Sequence, residues 1–263
     1  MNISLESWQP WSPVGDRFLT QDLKGVLRVW DTQSGRLLHT LASRLERSFE
    51  PEPEKARVDV DDLAHLFNES QDQALWSPRG DLIAASSQAS NTVDVWHVDT
   101  GELLYTVAGG FEDQRVLLGG WTSSGDRFAT RGMGGVKIFD AAGGALVSTL
   151  ATPEVYVYRV LWSADGSRIL TMDVTDGSAR LWDTETGQQL FFITNLGSSI
   201  GLGWSVSENW LAVGDNDGVV HLWDLNRRIE VMKLYGSTPR ILHIAFSPDE
   251  ERILVIGDNR VVN

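Results

Sequence analysis

Residues 178–190 read SARLWDTETGQQL, and the phrase returns in altered form four more times. LRVWDTQSGRLL begins at Leu27, VDVWHVDTGELL at Val93, VKIFDAAGGALV at Val136 and VHLWDLNRRIEV at Val220. Each copy opens with alternating residues that end on an aromatic, passes through a polar turn and resumes an apolar run. Alternation of period two on either side of a turn rich in Asp, Thr and Gly describes a β-hairpin. The aromatics Trp30, Trp96, Phe139, Trp182 and Trp223 are 66, 43, 43 and 41 residues apart. Gly35, Gly101, Gly144 and Gly187 each follow five places later, where a turn needs positive φ. The fifth copy carries Arg228 there, so its turn is expected to differ.

A second phrase keeps the same period. It reads WSPVGDRF at Trp11, WSPRGDLI at Trp76, WTSSGDRF at Trp121, WSADGSRI at Trp162, WSVSENWL at Trp204 and FSPDEERI at Phe246. From Trp76 onward its spacings are 45, 41, 42 and 42. It too reads as strand, turn, strand. Each unit therefore holds four short strands in about 40–45 residues, which is the sequence period of a propeller blade.

On these residues the chain resembles the WD40-repeat β-propellers. Trp-Asp stands at Trp30-Asp31, Trp182-Asp183 and Trp223-Asp224, and is altered to Trp96-His97 and Phe139-Asp140. The resemblance implies an all-β, WD40-type β-propeller array within a single domain, 1–263. The blades are expected at about 1–41, 73–107, 113–150, 155–193 and 198–234: five complete four-stranded blades, with a partial sixth at 240–263. Family repeats often carry Gly-His, whose His joins a turn Asp in a hydrogen-bonded network. No Gly-His occurs here. Asp176, Asp217 and Asp258 match the turn Asp, whereas Lys24, Ser90 and Met133 replace it in the first three units. The network is expected to be incomplete, leaving stability to aromatic and aliphatic packing, with Trp30, Trp96, Trp182 and Trp223 wedged between sheets.

Strand counting leaves no room for an outer strand before Trp11, and the sixth unit stops short of its third-strand aromatic at Asn263. The expectation is an incomplete ring with open edges that invite self-association. The interval from Trp30 to Trp96 exceeds a 42-residue unit by 24, and the excess lies in residues 42–72, an insertion with nine acids and four bases. Within it DDLAHLFN places Leu63, Leu66 and Phe67 at helical spacing behind the N-cap candidates Asp61 and Asp62, so a short amphipathic helix is expected. By strand order the insertion joins the outer strand of the first blade to the inner strand of the second. That connection lies on a face which the family commonly presents to partners. Phe49, Leu63, Leu66 and Phe67 are the candidate apolar anchors, and Arg131, Met133, Asp173 and Asp215, following second strands, are expected to open onto the same face. A helix that merely covers a blade edge is the competing reading.

The chain has 263 residues, 42% of them hydrophobic, and a formal charge of −14. Such a field repels phosphate backbones, which argues against nucleic acid and favours basic partners. Cysteine is absent, so disulfides and thiolate metal sites are excluded. The N-terminus lacks signal-peptide character and no apolar run reaches a membrane span, so no membrane partner and a cytoplasmic location are expected.

No catalytic constellation emerges. There is no phosphate-cradling loop, no H-E-x-x-H and no G-x-S-x-G. His39, His65, His97, His221 and His243 are scattered, and GDNDGVV at 214–220 reads as an Asp-Gly turn with a calcium loop's distal Glu missing. DVTDGSA at 173–179 reads the same way. No cofactor is expected. The resemblance implies a non-catalytic scaffold for protein or peptide partners. Two alternatives stay open: a sensor or regulatory segment of a larger signalling or ATPase protein, and an enzyme with a site in the central channel. The apolar inner strands argue against the enzyme.

Overall fold

A computed structural model describes residues 10–22, 26–41, 74–87, 91–111, 116–173, 177–194, 196, 201–205, 207, 209–215, 217–235 and 241–257. The insertion and its expected helix lie outside these residues. Every element among the described residues is a β-strand, arranged in antiparallel sheets. Two compact units are formed, one within Leu5–Thr130 and Phe139–Ala145, the other from Arg131–Ile138 and within Leu146–Asn263.

In the first unit, β1 (Arg17–Gln21), β2 (Leu27–Asp31) and β3 (Leu37–Leu41) form a three-stranded sheet. Among the described residues its innermost position is held by a bridge between Trp11 and Phe18. Next come β4 (Ala74–Trp76), β5 (Leu82–Ser87), β6 (Thr92–His97) and β7 (Leu103–Val107), paired in sequence order. β8 (Leu117–Trp121) then pairs with β9 (Arg127–Asp140). β9 doubles back on itself: the rings of Phe128 and Phe139 stack at 5.4 Å, whereas eleven extended residues would span about 36 Å. Gly134 and Gly135, at φ 94° and 132°, make the reversal.

In the second unit, β10 (Leu146–Trp162), β11 (Arg168–Asp173), β12 (Ser178–Asp183) and β13 (Gln189–Ile193) follow in order. β10 serves twice, first as an outer strand and then, after Glu154 at φ 64°, as the inner strand paired with β11. β14 (Leu202–Trp204), β15 (Trp210–Gly214), β16 (Val219–Asp224) and β17 (Ile229–Tyr235) form a further four-stranded sheet, and β18 (Ile241–Phe246) pairs with β19 (Ile253–Gly257). The architecture is that of a β-propeller array, with the aromatics at 30, 96, 139, 182 and 223 on third strands as the spacing predicts.

Two turn chemistries repeat. Between first and second strands a Ser or Thr hydroxyl accepts the N–H five residues on, at 3.1 Å in Ser12–Arg17, Ser77–Leu82 and Thr122–Arg127, 2.9 Å in Ser163–Arg168 and 3.0 Å in Ser247–Arg252. In the first three that hydroxyl donates to an aspartate at 2.7–2.8 Å, to Asp16, Asp81 and Asp126. Between third and fourth strands the Asp after the aromatic caps the turn. Asp183 Oδ1 accepts the Thr186 N–H at 2.8 Å and its hydroxyl at 2.7 Å, which hold the carboxyl below its ordinary pKa. Asp31 is lowered in the same way by Ser34. The closing bond runs from the residue five places after the aromatic to the carbonyl one place after it, at 3.0 Å for Gly35, 2.9 Å for Gly101 and Gly144, and 3.0 Å for Gly187.

The fifth copy corrects the expectation that its turn differs. Arg228 N–H donates to the Asp224 carbonyl at 2.7 Å, and Arg228 itself adopts φ 60°. The closing bond and the Asp224 cap, which accepts the Arg227 N–H at 2.9 Å, hold a side-chain-bearing residue in the left-handed region.

The turns of the second, third and fourth copies, and the aromatic of the fifth, also sit on the preceding outer strand. His39 Nε2 lies 3.0 Å from the Asp99 carbonyl, and the Tyr105 hydroxyl donates to the Ala141 carbonyl at 2.5 Å. In the second unit the Ser148 hydroxyl donates to the Thr184 carbonyl at 2.5 Å, and the Phe191 ring meets Trp223 edge-on at 6.0 Å. Aromatic packing carries the cores as expected, and half of a polar network survives beside it. The indole N–H of Trp30 donates to Thr20 at 2.8 Å and that of Trp182 to Thr171 at 2.9 Å. At the same register Trp223 faces Leu211, with Val213 two places on, and its indole nitrogen is buried without an acceptor among the described residues. Asp217, one match for the family's turn Asp, is exposed, and its N–H donates to Asp215 at 2.9 Å. Asp176 and Asp258 lie outside the described residues.

Two stability outcomes follow. Arg228→Gly removes a side chain from a left-handed position and is expected to raise stability by about 0.5–1 kcal/mol, net of the freedom glycine adds to the unfolded chain; chemical denaturation of both proteins checks this. Val213→Thr gives the Trp223 indole the acceptor its counterparts have. It is expected to keep or raise stability, while Val29→Thr, at an equally buried valine, loses about 1–2 kcal/mol.

Candidate interaction surface

Alternation of antiparallel strands puts the second-to-third turns at one end of each sheet, with the connections from outer to inner strands. In the first unit this end is ordered by Asp22, which accepts the Val26 N–H at 3.0 Å and pairs with Arg28 at 2.9 Å. In the second unit it carries Arg131, Met133, Asp173 and Asp215. Phe49, Leu63, Leu66 and Phe67 lie outside the described residues.

Arg131 and Met133 do not stand in a free turn. Both lie within β9, and Arg131 is 6% exposed, with its guanidinium 3.4 Å from the Val157 carbonyl. Asp173 ends β11 and is 1% exposed, paired in register with Val157 on one side and Ser178 on the other. Val157 thus joins Arg131 and Asp173 in one buried polar layer, which fixes strand ends and does not offer these two side chains to a partner. Met133 is half-buried. Of the four, only Asp215 follows its strand in an open turn, immediately after β15.

Asp215 organises that turn. Its Oδ1 accepts the N–H of Asp217 at 2.9 Å and of Val219 at 2.8 Å, and Gly218 completes the Asp-Gly turn at φ 79°. Its Oδ2 lies 3.0 Å from His221 Nε2, and His221 Nδ1 lies 2.7 Å from Glu230 Oε1. Lys233 stands 3.8 Å from the same Glu230 oxygen. His221 thus bridges two carboxyl groups, one in the turn after β15 and one on β17. Burial pushes the Asp215 pKa up, but the bonds from His221, Val219 and Asp217 outweigh it and hold the carboxyl below its ordinary value. The sequence reading leaves His221 among scattered histidines. The signal it misses is cross-strand: the β16–β17 register has a bulge beside Trp223, which brings Glu230 beside His221.

The chain of contacts forms a clamp. Both ring nitrogens of His221 are engaged, and among the described residues no group of His, Asp and Glu is placed to hold a metal ion. No helix of the described residues is long and apolar enough to cross a membrane.

Comparison with known proteins agrees with this geometry. The family model described as WD domain, G-beta repeat matches residues 144–183 and 192–224, each match ending one residue past a third-strand aromatic, Trp182 or Trp223. The chain carries WD40 repeats. It is 26% identical over 249 residues to Autophagy-related protein 16 of Arabidopsis thaliana, covering 88% of this chain and 43% of that protein. It is 30% identical over 159 residues to COMPASS component SWD3 of Saccharomyces cerevisiae, covering 57% and 49%, and 24% identical over 278 residues to Nuclear distribution protein PAC1 of Arthroderma otae, covering 90% and 53%. The chain spans about half the length of these curated relatives.

The lowered Asp215 contributes stability that is complete above the unfolded carboxylate value and is lost as pH falls through the folded one. Asp215→Asn is therefore expected to be less stable than the parent at about pH 5, with the gap closing towards about pH 3. Denaturant titrations of both proteins across that range provide the measurement.

Proposed function

We propose that this WD40-repeat chain is a non-catalytic platform for protein or peptide partners. The observation that carries the reading is the 24-residue excess between Trp30 and Trp96, set on a connection from an outer strand, β3, to an inner strand, β4. Long excursions from a rigid repeat scaffold are where binding residues concentrate. Residues 42–72 combine acids with Phe49, Leu63, Leu66 and Phe67, a pairing that suits a partner with a basic rim and apolar pockets. The name of SWD3, a component of COMPASS, supports assembly with other proteins as a use of such repeats. The repeat array as a regulatory segment of a longer protein is a second reading, favoured by coverage of about half of each relative.

The test replaces residues 44–70 with a short Gly/Ser linker and compares the melting transition and partner capture with the parent chain, cross-linking mass spectrometry locating the contacts. Retained melting with captured partners lost, and cross-links centred on residues 42–72, is the expected result. Unchanged capture overturns the reading.

A further inference from the structure

Asp-Gly pairs stand at Asp165-Gly166, Asp176-Gly177 and Asp217-Gly218. Such a pair is prone to react with itself, because glycine has no Cβ to keep its backbone nitrogen away from the preceding carboxyl. Asp176 lies outside the described residues. The other two pairs are closely matched. Both acids are exposed, both glycines are buried, and the glycines share one conformation, φ 73° at Gly166 and 79° at Gly218.

The two pairs differ in what holds the reacting atoms. Asp165 Oδ1 accepts the Ser167 N–H at 2.9 Å, the Ser163 hydroxyl at 2.7 Å and the Ser167 hydroxyl at 2.8 Å. These bonds, led by the Ser167 N–H, hold that acid below its ordinary pKa. The Asp217 carboxyl accepts no hydrogen bond among the described residues, since Asp215 is the acceptor in that turn. The glycine nitrogens differ too. Gly166 N–H is held by the Ser163 carbonyl at 3.1 Å, whereas Gly218 N–H lies 3.4 Å from the Asp215 carbonyl, beyond an ordinary hydrogen bond.

We propose that Asp217 is a site of spontaneous backbone isomerisation to isoaspartate, and that this conversion opens the His221 clamp. The Gly218 nitrogen attacks Asp217 Cγ. An N–Cγ bond forms, the Cγ–OH bond of the carboxylic acid breaks, and the hydroxyl leaves with the amide proton as water, giving a five-membered imide. Water then adds to the main-chain carbonyl carbon of Asp217, and the bond from that carbon to nitrogen breaks. The main chain now runs through Cβ and Cγ, and the former main-chain carbonyl is a free carboxylate. Addition at Cγ instead restores aspartate. Mass and charge are unchanged, but the path from Asp217 to Gly218 is one methylene longer. The extra length displaces Val219, whose N–H donates to Asp215 Oδ1 at 2.8 Å and whose carbonyl accepts the Asp215 N–H at 2.9 Å. Asp215 is thereby turned from His221, and the link to Glu230 on β17 is lost at its first contact. This modification does not depend on the platform reading.

The test ages the full chain for several weeks in warm neutral buffer. The protein is then digested, and isoaspartate is located by electron-transfer fragmentation, which separates the two isomers at equal mass. Product at 217 is expected to form about tenfold faster than at 165, where the Ser167 bonds must break first. Asp217→Glu keeps the charge, sets the carboxyl one methylene farther out, and is expected to abolish the product at that position. Ser167→Ala is expected to raise the rate at Asp165 several-fold and to leave position 217 as in the parent. Both altered side chains are exposed, so folding is retained, as circular dichroism verifies. Equal rates at 165 and 217 overturn the site, and so does absence of product at 217. Peptides with isoaspartate elute apart from their aspartate forms, so hydrogen exchange of both forms is read from one aged sample. Faster exchange at Val219 and His221 is expected in the isoaspartate form. Identical exchange overturns the coupling to the clamp.

Discussion

The bond that closes the third-to-fourth turn, from the residue five places after the aromatic to the carbonyl one place after it, is the interaction on which the rest of this structure depends. It turns the chain tightly enough for the fourth strand to pair with the third. It also leaves the turn's backbone facing outward, onto the preceding outer strand. Sheet formation and sheet-to-sheet contact are thus two consequences of one local geometry. The Asp cap explains why an acid follows the aromatic in four of the five copies. At His97 the backbone bond forms without it, at 2.9 Å, which ranks the bond above the cap.

The third-strand aromatics have a matching dual role. Phe18 stacks with Trp30 at 6.0 Å and Phe128 with Phe139 at 5.4 Å, whereas Ile83, Ile169 and Leu211 stand opposite Trp96, Trp182 and Trp223. Where the ring is an indole, its N–H needs an acceptor, and a Thr two places beyond the paired residue supplies one in two sheets. Where the third-strand residue is Phe139, the equivalent Thr130 turns to the Gly109 carbonyl at 2.8 Å. The polar side chain follows the ring in three copies, while Trp223 meets Val213 at the same place, so the repeats diverge in sequence while keeping one backbone.

Much of this was legible in the sequence because turns and aromatics are local signals at a fixed period. Trp96, Trp182 and Gly187 fall where their spacing puts them. Three features were not legible. Arg228 lacks the glycine signature, yet a closing bond and a cap overrule its backbone preference. Arg131 and Asp173 look like loop charges in the sequence, but strand register buries both beside Val157. The His221 clamp depends on a bulge that shifts Glu230 by one position; the bulge recurs beside Trp30, Trp96 and Trp182, but the His and Glu that use it belong to the fifth copy. The last two cases turn on contacts between different strands, which spacing alone does not encode.

The half-buried His221 clamp has a mechanical side. It ties the turn after β15 to the outer strand β17 across the full width of β16, using side chains where the rest of the sheet uses backbone ladders. A sheet braced in this way resists splaying of its outer strand from that end. Twisting β17 would stretch a carboxylate–imidazole–carboxylate strut as well as a ladder of amides. The stiffness of this one blade is therefore set partly by side chains, and loss of either carboxyl group returns that end of β17 to its backbone ladder.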